Sequence, residues 1–255
     1  MHEARAIMRT ALFLALMTST LVPACAESQP GDELAGETAA DGEAGKADKD
    51  GGAGVFTYYN LIPDTRACSL DAGPDCGTGF FVSRANRSST QCGRGPTTSQ
   101  CKVHTIDWTG TAMPTSVAQG YEDDLRAGRP LLVRGSVVPS ADDRALSVAV
   151  TEVWVASQPE WVDGVFTLVK DNGLRCITAP CPSLTEQKLN SNLSANITGV
   201  DFEASGADPE LIDLARNAMY GGDGVIVVGY RDYDSRDGKL RTANKFFTKA
   251  PVPLF

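Results

Sequence analysis

Apolar and polar positions follow the same order in two stretches of the chain, residues 54–156 and 164–250. The first stretch opens with Gly54-Val55-Phe56-Thr57 and the second with Gly164-Val165-Phe166-Thr167. From residue 106 to 156 the first stretch aligns with the second at a constant offset of 94 residues, without a gap. A repeat of about a hundred residues indicates a duplicated domain rather than a short-period solenoid.

The period of the apolar positions predicts five strands and one helix in the first copy, because strands repeat every two residues and helices every 3.6. The helix fits Ser116–Ala127. Ser116 and Gln119 have the spacing of a capping box, and Gly128 is a typical helix end. The strands are predicted at Val55–Asn60, Gly79–Ala85, Lys102–Trp108, Pro130–Val138 and Leu146–Ala156.

The second copy repeats this order and has a clearer helix start. Asp208 is a typical N-cap, Pro209 suits the first helical position, and the last hairpin turns through the Asp-Gly pair of Arg236–Lys239. The order β-β-β-α-β-β is that of an OB-fold, a five-stranded barrel with its helix between the third and fourth strands. We therefore predict a mainly β, α+β protein with one helix per repeat, built as two tandem OB-like barrels rather than open α+β sheets.

The first 25 residues have the pattern of an export signal. Arg5 and Arg9 precede an apolar run from Ala11 to Leu21, which is too short to span a bilayer as a helix. The run ends in Leu21-Val22-Pro23-Ala24-Cys25, which resembles the lipobox of bacterial lipoproteins, so Cys25 is predicted to carry a lipid. Ala26 in place of an aspartate favours the outer membrane over the inner one. The alternative is ordinary cleavage after Ala26, which would give a secreted protein.

Charge is distributed unevenly along the chain, which has a net charge of −9. Residues 26–53 contain eight acidic and two basic residues without an apolar period, so they are predicted to form a disordered acidic tether. Nothing resembles a basic stripe, so nucleic-acid binding is disfavoured. The predicted organisation is a signal peptide at 1–25, the tether at 26–53, repeat domains at 54–156 and 164–255, and a linker at 157–163.

Six cysteines remain besides Cys25, and they are spaced as three close pairs. An exported protein matures in an oxidising compartment, where disulfides are the default. Local pairing predicts the bonds Cys68/Cys76, Cys92/Cys101 and Cys176/Cys181. Their spacings are not typical of zinc sites, and the sequence predicts no metal and no cofactor.

Catalytic chemistry has little support in the sequence. His104 is the only histidine after the signal, and it lies in a predicted strand between Val103 and Thr105. Strand alternation places it opposite these two neighbours, so we predict a surface or half-buried side chain without a catalytic role. The cysteines are predicted to be oxidised, which removes thiol nucleophiles. The sequence therefore predicts no catalytic residue and a protein that is not an enzyme.

One short segment is a candidate binding loop, Arg175-Cys176-Ile177-Thr178-Ala179-Pro180-Cys181-Pro182. Small protease inhibitors use a disulfide and proline in this way to rigidify the segment that enters a protease cleft. Arg175, Ile177 and Pro180 would then contact the protease. The alternative is that this disulfide only fixes the connection between the first two strands of the second copy.

Three segments together resemble a known family: Arg66-Ala67-Cys68, Cys76–Asn86 and Arg175–Ser183, with Cys101. They are similar to an uncharacterised, duplicated, cysteine-bearing domain family of predicted lipoproteins of myxobacterial type. The resemblance implies an exported, duplicated domain and no known activity. The sequence thus predicts a non-enzymatic lipoprotein that is attached to the membrane through the lipid on Cys25. It would bind a small ligand or an envelope protein, and the alternative is a secreted protease inhibitor.

Overall fold

The computed structural model describes residues 57–66, 76–140, 145–233 and 238–250, which fall within one compact unit of the chain. The predicted signal peptide, its Cys25 and the acidic tether lie outside the described residues. We refer to the described residues up to 156 as the first half and those from 165 onward as the second half. The structure is mainly β, as the sequence predicts, with one α-helix in each half.

The first half has eight strands and one α-helix. Its strands match the predicted ones to within a few residues, except that the third strand is divided and a short hairpin, β3–β4, was not predicted. The predicted capping box is wrong, because the N-cap of the helix is Pro114 and no side chain caps it. The elements are β1 Thr57–Pro63, β2 Phe80–Arg84, β3 Thr90–Gln91, β4 Thr97–Thr98, β5 Cys101–Val103, β6 Thr105–Asp107, a 3-10 helix Thr109–Thr111, α1 Thr115–Arg126, β7 Leu131–Pro139 and β8 Leu146–Ala156.

The second half has six strands and one α-helix in a similar order. Its helix begins as predicted, with Asp208 as N-cap and Pro209 in the first turn. Residues 236 and 237 of the predicted turn at 236–239 lie outside the described residues. The elements are β9 Val165–Asp171, β10 Leu184–Lys188, β11 Ser194–Ile197, β12 Gly199–Asp201, a 3-10 helix Glu203–Ser205, α2 Pro209–Tyr220, β13 Val225–Tyr233 and β14 Lys239–Lys249.

Most of the strands form one antiparallel sheet that crosses from one half to the other where β8 pairs with β14. Its order is β11, β10, β9, β13, β14, β8, β7, β1, β2 and β5, and two parallel pairs, β6 with β8 and β12 with β14, lie off this path. The predicted preference for barrels is not borne out, since the sheet is not closed into a barrel.

Instead, the sheet of each half continues into the other half, because β8 pairs with β14. The third strand of each half also changes its partner partway. At His104 the strand leaves β2 and joins β8, and the His104 N–H donates to the Leu146 carbonyl at 2.8 Å. At Thr198 the strand leaves β10 and joins β14, and the Thr198 N–H donates to the Lys239 carbonyl at 2.7 Å. The first part of each third strand therefore pairs with an antiparallel neighbour and the second part with a parallel one.

Three apolar clusters form the core, one in each half and a third between the halves. Alternate residues of one strand belong to different clusters. Leu131 and Val133 on β7 pack inside the first half, while Leu132 packs in the cluster between the halves. On β13, Val225 and Val227 likewise pack inside the second half and Ile226 faces the first. Strands that are buried on both faces need an unbroken apolar run, which both segments have.

Glycines permit a bend in the long strand that follows each helix. The register of β7 shifts between Arg134 and Gly135, and that of β13 shifts between Val228 and Gly229. A Cβ at Gly135 would lie 2.2 Å from the Ala149 carbonyl oxygen, and one at Gly229 would lie 1.9 Å from that of Thr242. Only glycine allows this approach, and such bulges bend a strand and redirect its side chains.

Charged side chains are buried in the second half. Glu186 is 1% exposed and accepts hydrogen bonds from Arg231 and from Arg241, whose Nε lies 2.7 Å from its Oε2. Lys245 is also 1% exposed, and its ammonium donates to the Glu160 carbonyl. Burial lowers the pKa of Lys245 to about 8, although the Glu160 carboxylate opposes this shift. Both groups lose hydration on folding, so each has a cost that its partners must offset.

Candidate functional site

The two halves are joined by a pair of asparagines that reach across to each other's backbone. Asn86 follows β2 in the turn that begins at Ala85, and it has a positive φ of 59°. Its side-chain amide donates to the carbonyls of Phe166 (2.7 Å) and Leu189 (3.1 Å), and its oxygen accepts from the Phe166 N–H (2.8 Å). One side chain of the first half thus satisfies three backbone groups of the second.

Asn190 makes the reciprocal contact from the second half. It follows β10 with a positive φ of 56°. Its oxygen accepts from the Tyr58 N–H at 2.9 Å and from the Thr57 hydroxyl, and its amide donates to the carbonyls of Tyr58 (2.9 Å) and Ala85 (2.8 Å). Asparagine tolerates the left-handed conformation better than most residues, which suits it to both turns.

A groove of about 480 Å³ lies beside these contacts and is lined by both halves. The described residues that line it include six basic and two acidic side chains, although the whole chain has a net charge of −9. Three bases come from each half. The first half supplies Arg84, Arg87 and Arg134, and the second supplies Lys170, Lys188 and Lys249.

The fold holds these cations at defined places. Arg84 and Lys188 are the last residues of β2 and β10, two positions before the bridging asparagines. Arg87 is fixed by the second half, because its Nε and Nη2 donate to the Asn190 carbonyl at 3.0 and 2.6 Å. All three side chains are half-buried. The asparagine turns therefore place cations of the two halves in one groove.

The two acidic side chains among the described lining residues lie close to lining cations. Glu152 on β8 contacts Arg134 at 3.0 Å and Lys249 at 3.7 Å, and Asp223 contacts Lys249 at 3.6 Å. The Arg134 guanidinium lies 6.0 Å from the centre of the Tyr58 ring. Burial, with a contribution from the Glu152 charge, raises the pKa of Tyr58, so the phenol remains neutral at physiological pH.

The lining can bind an anion but has few groups for catalysis. Arginine and lysine donate to carboxylate and phosphate oxygens, and Gln187, Ser191 and Asn192 add amide and hydroxyl groups. Among the described residues that line the groove there is no histidine and no cysteine. The described lining is therefore polar and mostly cationic.

A protein-family model described as a domain of unknown function (DUF6748) matches residues 57–250. The chain belongs to this family. The match confirms the resemblance to an uncharacterised domain family, and it covers both halves and the groove between them. No curated protein and no solved structure matches the chain.

Two of the predicted disulfides are present in this DUF6748 chain. Cys92 bonds to Cys101, and Cys176 bonds to Cys181. Cys68 lies outside the described residues, so its predicted bond with Cys76 stays a prediction. The 92–101 loop includes β4, whose partner β3 lies just before Cys92, and none of its residues lines the groove.

The three residues of the predicted binding loop, Arg175, Ile177 and Pro180, have different surroundings in the structure. Ile177 is fully exposed at 103%, and the Ala179–Pro180 peptide bond is cis. Arg175 instead folds back on Asp171, with Nη1 and Nη2 at 2.9 and 2.7 Å from the two carboxylate oxygens. This contact lowers the pKa of Asp171 to about 2. Ile177 is therefore the apolar side chain that the loop presents to solvent.

His104 is half-buried, as predicted, but the predicted strand alternation fails there. Val103 is buried and Thr105 is exposed, because the strand changes its partner at His104.

No helix in the described part of the chain is long and apolar enough to cross a membrane. Within the same residues there is no cluster of three or more potential metal-ligating His, Cys, Asp or Glu side chains.

Sequence reasoning missed the groove and the asparagines that position it. The six cations are spread from residue 84 to residue 249 and lie on different elements, so no local motif connects them. A usable signal is the asparagine that stands two positions after the second strand of each half, Asn86 after β2 and Asn190 after β10.

Proposed function

We propose that this chain is an exported, non-enzymatic binding protein whose ligand occupies the groove between the two halves. The observation that carries the proposal is the groove itself, which collects six cations from both halves at about 480 Å³. Small-molecule sites have volumes of about 300–1,000 Å³ and often lie between domains. The predicted lipid anchor on Cys25 would hold the protein at the outer membrane.

Lipid attachment has a direct test. Cells that produce the full chain are fed labelled palmitate, and the chain is then followed in membrane and soluble fractions. We expect label in the wild type and release of Cys25→Ala from the membrane fraction. An unlabelled chain, or a Cys25→Ala variant that remains in the membrane, would contradict the anchor and favour a secreted protein.

Binding in the groove can be tested without knowledge of the ligand. Hydrogen exchange of the full chain is measured with and without the low-mass fraction of the cell envelope. We expect slower exchange at residues 84–87 and 187–192, whose side chains line or flank the groove. Unchanged exchange there would refute the groove as the binding site, and a change confined to 174–183 would favour the second function below.

The second candidate function is protease inhibition through the 176–181 loop. It is favoured by the full exposure of Ile177 on a disulfide-closed segment. Arg175 is a weaker candidate for the specificity side chain, since its guanidinium is held by Asp171. Titration of the chain against trypsin-like and subtilisin-like proteases tests this function. It fails if no stoichiometric inhibition occurs, or if inhibition survives the replacement of Ile177 and Arg175.

We also infer that the two halves are tandem copies of one β-β-β-α-β-β unit with an OB-like strand order. Three observations support this inference. Both halves place a helix before their last two strands, both divide the third strand between an antiparallel and a parallel partner, and both bridge the halves with an asparagine after the second strand. Such reciprocal contacts are typical of an isologous two-fold interface.

A further inference from the structure

We propose that the ligand of the groove is a small, non-aromatic oligoanion with at least two carboxylate or phosphate groups, which bridges the two halves. This inference rests on the binding function proposed above and names the class of ligand. It is carried by where the cations lie, by the size of the groove and by the surroundings of its aromatic residues.

The distribution of the cations over both halves favours a ligand with more than one charged group. Three of the bases belong to each half. Arg84 is the last residue of β2, and Lys188 is the last residue of β10, the equivalent strand of the other half. A single anion can satisfy one cluster of donors, whereas two or more linked anions can contact both halves. Linking the anions makes the second contact intramolecular, which strengthens binding without a new type of interaction.

The volume of the groove agrees with such a ligand. About 480 Å³ is within the range of sites for small organic molecules, about 300–1,000 Å³. The lining also offers Gln187, Ser191 and Asn192. Their amides and hydroxyl group can bind hydroxyl groups between the charged ones, so we expect a polar frame such as a short acidic sugar chain.

The carboxylates indicate where the anions bind. Glu152 and Asp223 lie at the Lys249 side of the groove, with Lys249 within 3.7 Å of Glu152 and 3.6 Å of Asp223. Their charge disfavours an anion there. The described lining residues retain a net charge of +4, from six bases and two acids, and we expect the anions away from the Lys249 side of the groove.

Aromatic ligands fit less well. Trp154 is only 1% exposed, and its indole N–H donates to Glu152 at 3.3 Å. The Arg134 guanidinium lies over one face of the Tyr58 ring, 6.0 Å from its centre. The two aromatic residues in the described lining thus offer little open face on which a nucleotide base could stack.

The test is calorimetric titration of the full chain with four probes: tripolyphosphate, trigalacturonate, inorganic phosphate and neutral maltotriose. We expect one or both of the oligoanions, tripolyphosphate and trigalacturonate, to bind at least about tenfold more tightly than phosphate, and more weakly at higher salt. Comparison of the two distinguishes a phosphate from a carboxylate ligand. Oligoanions that bind no more tightly than phosphate would overturn the proposal.

Matched variants localise the binding. Arg84→Gln combined with Lys188→Gln removes two groove cations, while Arg94→Gln combined with Arg129→Gln removes two exposed cations outside the groove. Loss of two charge-assisted contacts should weaken binding by about tenfold or more, and the control pair should stay within about twofold. If the groove pair does not fold, the single variant Lys170→Gln should still weaken binding. An equal loss in both pairs would show non-specific attraction and refute the site.

The experiment separates failure of the ligand class from failure of the binding function. If maltotriose binds and depends on the groove residues while the anions do not, the oligoanion is wrong and the groove remains a binding site. If no probe binds and the envelope fraction leaves exchange at 84–87 and 187–192 unchanged, both proposals are wrong.

Discussion

The reciprocal asparagines should contribute a large share of the contact energy between the two halves. We predict that Asn86→Ala and Asn190→Ala each destabilise the protein strongly, although neither residue belongs to an apolar core cluster. Asn86 makes three hydrogen bonds to backbone groups of the other half, and Asn190 makes three to backbone groups and one with Thr57.

The expected magnitude follows from these bonds and from the backbone conformation. Each hydrogen bond contributes about 0.5–1.5 kcal/mol net, so the loss of three costs roughly 1.5–4.5 kcal/mol. Alanine at a φ of 59° or 56° adds about 1–2 kcal/mol of backbone strain. Each alanine variant should therefore lose roughly 3–6 kcal/mol. Glycine lacks this strain, so Asn86→Gly and Asn190→Gly should lose less than the alanine variants.

Urea unfolding monitored by tryptophan fluorescence measures these losses. Trp154 reports on the contact directly, because it is buried in the cluster between the halves. Asn217→Ala is the control, since Asn217 is exposed on α2, and it should change stability by less than about 0.5 kcal/mol. Asn86 bonds to Leu189, the neighbour of Asn190, so we expect the double variant to lose less than the sum of the single losses.

Two results would refute this reasoning. Alanine variants within about 0.5 kcal/mol of the wild type would mean that water replaces the asparagine contacts at no cost. Glycine variants as unstable as the alanine variants would mean that the left-handed backbone contributes nothing to the alanine loss, which the positive φ angles contradict.

Three further predictions concern buried charge and the disulfide loop. Glu186→Gln should cost about 3–5 kcal/mol in urea unfolding, because it leaves two buried arginines without their carboxylate; a loss below about 1 kcal/mol would contradict the buried ion pairs. For Lys245, the folded pKa of about 8 lies below the unfolded value of 10.5, so the cost of burying the ammonium is fully present below pH 8 and disappears as the pH rises toward 10.5. Wild type should therefore gain stability relative to Lys245→Met between pH 8 and pH 10, and a constant difference would contradict the lowered pKa. Replacing Cys92 and Cys101 together by serine should cost about 2–3 kcal/mol in the same assay, and a stability equal to that of the wild type would mean that the bond does not constrain the unfolded chain.

Much of the secondary structure could be predicted because the period of the apolar residues is a local property. The helix of the second half begins at Pro209, as its Asp-Pro start indicates. The third strand of the first half was predicted as one piece, since no local feature reveals that His104 is where the strand changes from β2 to β8. Partner changes depend on distant strands, which an alternation pattern does not encode.

The contact between the halves can be inferred from unbroken apolar runs in the sequence, which an analysis of periodicity alone does not use. The segments Leu131–Val133 and Val225–Val228 are apolar at every position. A strand with one face in water alternates between apolar and polar residues, so an unbroken run indicates two buried faces. In the structure, Leu132 and Ile226 supply the second face and pack in the cluster between the halves. The runs therefore encoded the contact between the halves, although not its register.

The groove exists only while the two halves are docked, so binding and stability are linked. A ligand that bridges the halves binds the native state alone and stabilises it by about 2.7 kcal/mol at one hundred times its Kd. Asn86 does not line the groove. Tripolyphosphate, at that multiple of its measured Kd, should therefore raise the unfolding free energy of wild type and of Asn86→Gly by the same amount, and offset much of the loss in the variant. At the same concentration it should stabilise the Arg84→Gln and Lys188→Gln pair by no more than about 1.4 kcal/mol, because a Kd at least tenfold higher leaves at most ten times Kd. Stabilisation of that pair to the same extent as wild type would place the bound anion outside the groove.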